Sequence, residues 1–310
     1  MRFALSTNWN NSRLATGEEI VEEALALGFD ALELGFKTTP LQLEGFRRSL
    51  NKITIDSIHA YCPVPVGAPS GHPELYQLLA KSEDERALAR LYLHETCECA
   101  SELGAKVIVF HAGYVPLTTF FRSFGDSSMR IRLEKAKWDI ENPHYKKSKE
   151  KALKLREKRG KKYLDLFRRE FEKILPHLEK YHITLALENL PRIEGFPNAD
   201  EAISLMDEFK DAPLKLWFDT GHAKVQSSFA WSKKEDVLAE ELAPHISGIH
   251  LNDVIAYNDD HLQPGGGNVD FKSLKKLAQR EDVLKVFEPR SFVTPENLSA
   301  SLSYIKQLWS

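Results

Sequence analysis

The chain has 310 residues, of which 42% are hydrophobic and 28% are charged, and its formal net charge is −3 at pH 7. This composition is typical of a globular protein with a sizeable core, and the small net charge gives no general attraction to nucleic acid or to an anionic membrane. No apolar run reaches the roughly 18 residues of a bilayer-spanning helix, so the sequence excludes a transmembrane segment.

The N-terminus enters a strand-like pattern directly, without the basic segment and long apolar stretch of a signal peptide. We therefore predict a cytoplasmic protein. The chain has three cysteines, Cys62, Cys97 and Cys99. Cys97 and Cys99 are two positions apart on a predicted helix, so their side chains point to different faces. We expect reduced cysteines that serve packing.

Eight apolar runs of strand length alternate with helical patterns. In chain order they are Phe3 to Ser6, Ala31 to Gly35, Ile55 to His59, Val107 to His111, Leu185 to Glu188, Leu214 to Asp219, Ile246 to Leu251 and Val283 to Glu288. Capping boxes that begin at Thr16 and Ser82 predict two helix starts, and Pro295 predicts the first position of the last helix. Strands that alternate with helices pair in parallel, so we predict an α/β fold, a (β/α)8 TIM barrel in a single domain over residues 1–310.

A doubly wound open sheet is the competing fold. It usually carries a glycine-rich phosphate loop after its first strand, and the segment from Ser6 to Asn11 is not such a loop. In a barrel, the C-terminal strand ends share one rim, where active sites of this fold are built. We therefore expect six strand-end residues to converge, although each alone is more often an ordinary hydrogen-bonded polar residue. They are His59, His111, Glu188, Asp219, His250 and Glu288.

The segment from His245 to Phe271 is the most informative loop. It brings His250 close in sequence to Asp259, Asp260 and His261, and three glycines follow. Imidazole nitrogen and carboxylate oxygen are ligands of divalent metals, so this loop predicts a metal site, with a solvated polar loop as the alternative.

The link between the fourth and fifth strands is far longer than an ordinary barrel loop. We predict a helical insertion at about residues 115–162, broken at Pro143, and a following helix from Leu164 to Lys180. From Arg122 to Lys162 it carries 15 Lys or Arg against 6 Asp or Glu, a local net charge of +9. A solvated helical excursion is the plainer interpretation, and a lid or cationic arm over the rim is the functional one.

These motifs resemble the xylose-isomerase-like TIM barrels, which include sugar phosphate isomerases and epimerases and endonuclease IV. The resemblance covers essentially the whole chain apart from the insertion. It is carried by IHAYCP at His59, VFHAG at His111, LALENLP at Glu188, FDTGHA at Asp219 and His222, HLND at His250, DDHLQPGGGNVDF from Asp259, and VFEPR at Glu288.

The resemblance implies a metal centre. In epimerases and isomerases of this group, the equivalents of Glu188, Asp219, His250 and Glu288 hold one divalent metal, often manganese. Endonuclease IV adds five ligands for a cluster of three zinc ions, and the candidates here are His59, His111, His222, Asp259 and His261. Asp260 rivals Asp259. The expected cofactor is a divalent metal, Mn or Zn, with one to three ions.

The favoured function is a metal-dependent isomerase or epimerase of a sugar or sugar phosphate, with Glu188 and Glu288 as its acid/base pair. Arg290 and Lys224 are candidates to bind a substrate anion, and a surface salt bridge is the alternative for Lys224. The competing functions are an endonuclease IV-like zinc phosphodiesterase acting on abasic DNA, a metal-dependent lyase or hydratase, and a metal-binding protein without catalysis.

The expected partner is therefore a small sugar or sugar phosphate, with no membrane partner. Nucleic acid is less favoured, because the rim loops outside the insertion lack an obvious basic and aromatic surface for a duplex. A homo-oligomer is compatible with the sequence.

Overall fold

The computed structural model describes residues 1–119 and 122–310, and its eight parallel strands close into a barrel in chain order. The strands are β1 Ala4–Ser6, β2 Ala31–Leu34, β3 Thr54–His59, β4 Val107–Phe110, β5 Thr184–Glu188, β6 Leu214–Asp219, β7 Ile246–Leu251 and β8 Leu284–Phe287. Strand β8 pairs with β1 and closes the barrel. The predicted TIM barrel is confirmed, and each strand begins and ends within about one residue of its predicted range.

In the described ranges, ten α-helices connect or follow the strands. They are α1 Gly17–Ala26, α2 Pro40–Ser49, α3 Glu83–Leu103, α4 Asp126–Lys135, α5 Pro143–Tyr181, α6 Ala199–Glu208, α7 Thr220–Ser228, α8 Glu235–Leu242, α9 Lys275–Ala278 and α10 Pro295–Trp309. Thr16 and Glu19 form the predicted capping box of α1. Helix α3 begins after Ser82 as expected, but the Ser82 side chain makes no capping hydrogen bond, so the capping box predicted there is wrong.

The three cysteines are free and buried, which agrees with their predicted role in packing. In the part of the chain that the structure describes, no helix is long and apolar enough to cross a membrane.

The interior of the barrel is layered. Its apolar layer contains Ala4, Ala31, Val109, Ala186, Trp217 and Val286. A side chain at Gly248 would collide with Trp217, because an added Cβ would lie 2.0 Å from the indole ring. Residues two positions apart on a strand face the same side. The next inward residue on five of these strands is therefore the titratable residue at the rim: Glu33, His111, Glu188, Asp219 and Glu288.

The insertion after β4 forms α4 and the first half of α5. Helix α5 is continuous over 39 residues, about 58 Å at the usual helical rise. The predicted break at Pro143 is confirmed, because α4 ends at Lys135 and Pro143 is the first residue of α5, where no helical N–H is needed and Asn142 caps the helix. The helix expected to begin at Leu164, however, begins about six turns earlier.

The insertion packs beside the rim around a core of its own. Apolar side chains from the insertion meet side chains that follow β5, β6 and β7; the cluster contains Leu117, Met129, Leu133, Tyr145, Ala152, Ile193, Val225, Phe229, Trp231 and Val254. Arg156 is buried and donates to both carboxylate oxygens of Glu201 at 2.6 Å and to the Gly195 carbonyl at 2.8 Å. The buried bidentate pair fixes α5 against α6, and the contact with Gly195 fixes it against the segment between β5 and α6.

Candidate metal centre

The rim brings together all nine side chains that the sequence resemblance singles out as metal ligands. They form three groups, and within each group the candidate ligand atoms lie within 4.8 Å of one another. The inner group is Glu188, Asp219, His250 and Glu288; the side group is His59, His111 and Glu188; the outer group is His222, Asp259 and His261. Glu188 is shared by the inner and side groups.

The inner group is almost completely buried, with Asp219 and His250 at 0% exposure, Glu188 at 1% and Glu288 at 5%. His250 Nδ1 lies 2.9 Å from Glu188 Oε1, 3.2 Å from Glu288 Oε2 and 3.7 Å from Asp219 Oδ2. Three carboxylates this close together and out of water repel one another unless a cation lies among them. The inner group therefore fits a divalent ion.

The side group uses the other oxygen of Glu188. His111 Nε2 lies 2.9 Å from Glu188 Oε2, and His59 Nε2 lies 3.2 Å from the same oxygen. Because Oε1 faces the inner group and Oε2 faces these two imidazoles, Glu188 would contribute one oxygen to each group if metal ions were bound.

The outer group comes from α7 and from the loop after β7. Asp259 Oδ1 lies 3.2 Å from His261 Nε2 and 3.6 Å from His222 Nε2, and it has no hydrogen-bond partner among the described residues. Asp260 is not in the group; its carboxylate accepts a hydrogen bond from the Ile255 N–H at 3.2 Å. Of the two adjacent aspartates, Asp259 is therefore the one beside the imidazoles.

In each of the five histidines, one ring nitrogen faces one of the three ligand groups and the other lies next to an oxygen that can accept a hydrogen bond. The acceptor contacts are His59 Nδ1 with the Ala60 carbonyl at 3.2 Å, His222 Nδ1 with the Asn189 carbonyl at 2.7 Å, His261 Nδ1 with the Glu288 carbonyl at 3.0 Å, His250 Nε2 with Glu33 at 3.0 Å, and His111 Nδ1 with Glu74 at 3.5 Å. An N–H that donates to such an acceptor leaves the opposite nitrogen as a lone pair, which is how metal-binding histidines are oriented. The donor set and its orientation fit zinc or manganese.

The DTGH sequence positions two of these residues through one helix start. Asp219 is the N-cap of α7, and its Oδ1 accepts the His222 N–H at 2.7 Å. The cap therefore orients the turn that carries His222 toward the outer group. Gly221 lies against Asn252, where an added Cβ would be 1.9 Å from Oδ1, and Asn252 donates to Asp219 Oδ2 at 2.6 Å.

The loop that carries Asp259 and His261 is organised around Asp253, which is 1% exposed. Its carboxylate accepts four backbone N–H groups at 2.8 to 3.0 Å, those of Val254, Gly265, Gly267 and Val269. Gly265 has a φ of +88°, which favours glycine. Asp253 is thus an organising residue of the loop, and its four N–H partners account for its burial.

Sequence reasoning missed Glu33, a carboxylate that contacts the inner group through His250. It is fully buried in β2 and lies 3.0 Å from His250 Nε2, and Ser57 Oγ donates to it at 2.8 Å. The sequence contains a signal for this role. In the ALEL run, Glu33 is two positions after Ala31, so both side chains face the same side of the strand, and a carboxylate inside a barrel needs a partner.

The family described as xylose isomerase-like TIM barrel matches residues 21–308. The chain belongs to this family. It is 28% identical to an uncharacterized protein of Methanocaldococcus jannaschii over 104 residues, 33% of this chain and 34% of that protein. The aligned stretch thus spans about a third of that curated relative. The family resemblance predicted from the motifs is confirmed.

Two solved structures extend the comparison to the whole chain. A D-tagatose 3-epimerase-like protein has a TM-score of 0.66 and 20% identity, and covers 99% of this chain and 97% of its own. A protein of Thermus thermophilus, soaked with zinc chloride, has a TM-score of 0.60 and 23% identity, and covers 99% and 96%. At such identities the likeness shows the fold alone.

The buried charges of this family member influence one another strongly. Burial alone lowers the pKa of a histidine, but Glu188 raises the pKa of His111 to about 9 and Asp259 raises that of His261 to about 10. Burial raises the pKa of Asp219. Although burial acts the same way on Glu188, the charges of His250 and His111 lower the Glu188 pKa well below its ordinary value. Glu188 is thus held ionised by the positive charges of neighbouring imidazoles, which act on it as a metal ion would.

A cavity of about 530 Å³ lies over the groups. Its walls include Asp126 and Arg130 from the insertion and Arg290 from the loop after β8. The Arg290 guanidinium lies 3.8 Å from Asp259. Lys224, the other predicted anion-binding residue, pairs with Glu235 at 2.9 Å and is not among the side chains that line this cavity. Its ammonium is used within the fold, so we do not assign it to the substrate.

Proposed function

We propose that this protein is a divalent-metal-dependent isomerase or epimerase of a small sugar or sugar phosphate. The observation that carries the proposal is the inner group of three carboxylates and one imidazole, of which Glu188 and Glu288 line a cavity of about 530 Å³. That volume is in the range of small-molecule sites, about 300 to 1,000 Å³. The insertion contributes to the walls of the cavity, which suits a single small substrate better than a polymer.

Glu188, Asp219, His250 and Glu288 would hold the ion. A bound divalent ion supplies Lewis acidity, which polarises a substrate carbonyl and acidifies the adjacent C–H. Glu188 ends β5 and Glu288 follows β8, two strands that are not neighbours in the barrel. Their carboxylates therefore reach a bound substrate from different sides, as removal and return of a proton at one carbon require.

Glu288 is the better candidate to accept the first proton. Both oxygens of Glu188 face imidazoles at 2.9 Å. In Glu288, Oε2 lies 3.2 Å from His250 Nδ1, but Oε1 accepts only the Asn8 amide, at 3.2 Å, among the described residues. Asn8 lines the cavity, and its own amide oxygen is buried without a hydrogen-bond partner in the described part of the chain. Because the Asn8 amide nitrogen donates to Glu288 Oε1, we assign Asn8 to orienting the Glu288 carboxylate.

The second candidate function is a zinc-dependent phosphoesterase, and a specific observation favours it. The side and outer groups are complete, and Glu188 faces both the inner and the side group. Several bound ions would supply a nucleophile at neutral pH and neutralise a phosphoester. The two functions differ in how many of the three groups must bind a metal ion for turnover.

The test combines metal analysis of the purified protein with a screen of ketoses, ketose phosphates and a duplex with an abasic site. We expect interconversion of a ketose or its phosphate with one ion held most tightly. Glu288→Gln should slow exchange of the substrate C–H with solvent deuterium by about 10²- to 10⁴-fold. The matched control is Glu194→Gln, because Glu194 follows the same strand as Glu188 and accepts the Asp126 N–H at 2.9 Å.

Phosphoester hydrolysis or duplex cleavage that requires two or three zinc ions, without ketose interconversion, would reverse the order of the two functions.

A further inference from the structure

Four cationic side chains line the cavity, and each comes from a different segment. Lys37 lies between β2 and α2, Arg130 in α4 of the insertion, Arg192 between β5 and α6, and Arg290 between β8 and α10. Segments far apart in sequence thus deliver positive charge to the same cavity.

Among the described residues, the N–H donors of the three arginines have few partners. The nearest carboxylate oxygens are 3.9 Å from Arg130, 3.9 Å from Arg192 and 3.8 Å from Arg290, all beyond hydrogen-bond distance. Arg130 makes one long contact, 3.4 Å to Asn258 Oδ1. Structural arginines of this chain behave differently: Arg156 donates twice to Glu201 at 2.6 Å.

Two of these guanidinium groups rest on aromatic rings. Arg130 lies 4.9 Å from the centroid of the Phe229 ring, and Arg192 lies 5.1 Å from that of Tyr114. Stacking of this kind restrains a guanidinium and leaves its in-plane N–H groups free for a ligand. The side chains are therefore positioned before any ligand arrives, which lowers the entropic cost of binding.

The charged side chains that line the cavity indicate the charge of the ligand. Five carboxylates line it: Glu74, Asp126, Glu188, Asp259 and Glu288. Three of them belong to the groups that would be neutralised by metal ions. With those ions bound, the four cations face only Glu74 and Asp126. The loaded cavity is thus positive, and it attracts an anion.

We infer that the substrate is a phosphomonoester, whose phosphate is bound by Arg130 and Arg192 together with Lys37 and Arg290 while its sugar-like part faces the inner group. This inference rests on the proposed function, since the cavity is taken as the substrate site. A phosphate dianion has the oxygens for paired N–H donors from several guanidinium groups. Arg130 gives the insertion a direct part in substrate recognition.

The test is calorimetric titration of the metal-loaded protein with inorganic phosphate. Arg130→Met and Arg192→Met keep the aliphatic stem over each aromatic ring and remove the donors, and we expect each to weaken phosphate binding by about tenfold or more. The matched control is Arg169→Met, an exposed arginine of α5 outside the cavity. It should bind phosphate like the unaltered protein.

Phosphate binding that disappears with the metal but is unchanged in both arginine variants would overturn the inference, and so would no phosphate binding by the loaded protein. A duplex with an abasic site tests whether the natural ligand is a phosphodiester. If the protein binds this duplex more tightly than phosphate, and the same two variants weaken that binding, the inference is also overturned.

The titration with phosphate requires no turnover, so it tests the phosphomonoester inference independently of the proposed isomerase or epimerase function. Arginine-dependent phosphate binding without ketose interconversion would refute the proposed function alone. Equal KM values of the unaltered protein and the Arg130→Met, Arg192→Met double variant for a ketose phosphate would refute the inference alone.

Discussion

The inner and outer groups differ in what holds them. Strands supply Glu188, Asp219 and His250 directly, so the barrel itself fixes the inner group. The outer group depends on a helix start and on a long loop, and its Asp259 side chain is 31% exposed whereas that of Asp219 is completely buried. Ligands on a rigid sheet are preorganised and out of water. We therefore expect the inner group to bind its ion tightly and the outer group to exchange its ion readily.

The largest effect should come from Glu188→Gln, because this carboxylate belongs to two groups at once. The substitution removes a negative charge from both, so we expect ions to be lost from the inner and side groups and kcat to fall by about 10²- to 10⁴-fold. Metal analysis and steady-state kinetics measure the two effects.

The same Glu194→Gln control applies to Glu188→Gln, with thermal unfolding to verify the fold. Full metal content in Glu188→Gln would show that the carboxylate does not bind the ions.

A smaller effect is expected from the His222→Ala, His261→Ala double variant. It removes both imidazoles of the outer group and none of the inner group, so zinc titration should lose one ion per chain. The inner ion and the fold should persist. Asp260→Asn is the control, since Asp260 is adjacent to the outer group but bonds to a backbone N–H. If the double variant binds the same number of zinc ions per chain, the two histidines do not bind metal.

The inner group was accessible from the sequence for a physical reason. Each member lies within one residue of the end of a short apolar run, and parallel strands of a barrel end at one rim. The loop composition indicated Asp259 and His261 as possible ligands, but their grouping with His222 needed the family resemblance, because nothing local in a long loop determines where it folds back. The backbone contacts of Asp253 with Gly265 and Gly267 determine this, and they close a loop of over ten residues.

Other features depended on tertiary packing. The pairing of Lys224 with Glu235 joins two helices whose relative position no local pattern gives. The start of α5 at Pro143 was missed because a proline signals both a break and a first helical residue. Arg130 was missed because its place in the cavity depends on how the insertion docks, which Tyr145 and the other residues of its apolar cluster decide.

A third test concerns Glu33, which acts on the inner group through His250. Its carboxylate holds Nε2, so that Nδ1 is directed at the other ligands. We expect Glu33→Gln to weaken affinity for the inner ion by about 10- to 100-fold, the usual range for such partners of a ligating histidine. Metal competition with a chelator measures this affinity.

Ser57→Ala is the comparison for Glu33→Gln, because it removes only the 2.8 Å hydrogen bond to Glu33. Equal affinities in Glu33→Gln and the unaltered protein would mean that the barrel alone orients the ring of His250.

The smallest expected signal is a release of protons when metal binds. In the metal-free protein the pKa of His261 is raised to about 10 and that of His111 to about 9, because Asp259 and Glu188 lie beside them and outweigh the effect of burial. Both imidazoles therefore carry a proton at pH 7, and a metal ion binds only the neutral ring. Apparent affinity should then rise with pH up to these pKa values. Titration calorimetry in buffers of different ionisation enthalpy should detect the protons, with fewer released by the His222→Ala, His261→Ala double variant. Binding without proton release would mean that these two rings are neutral before the ion arrives.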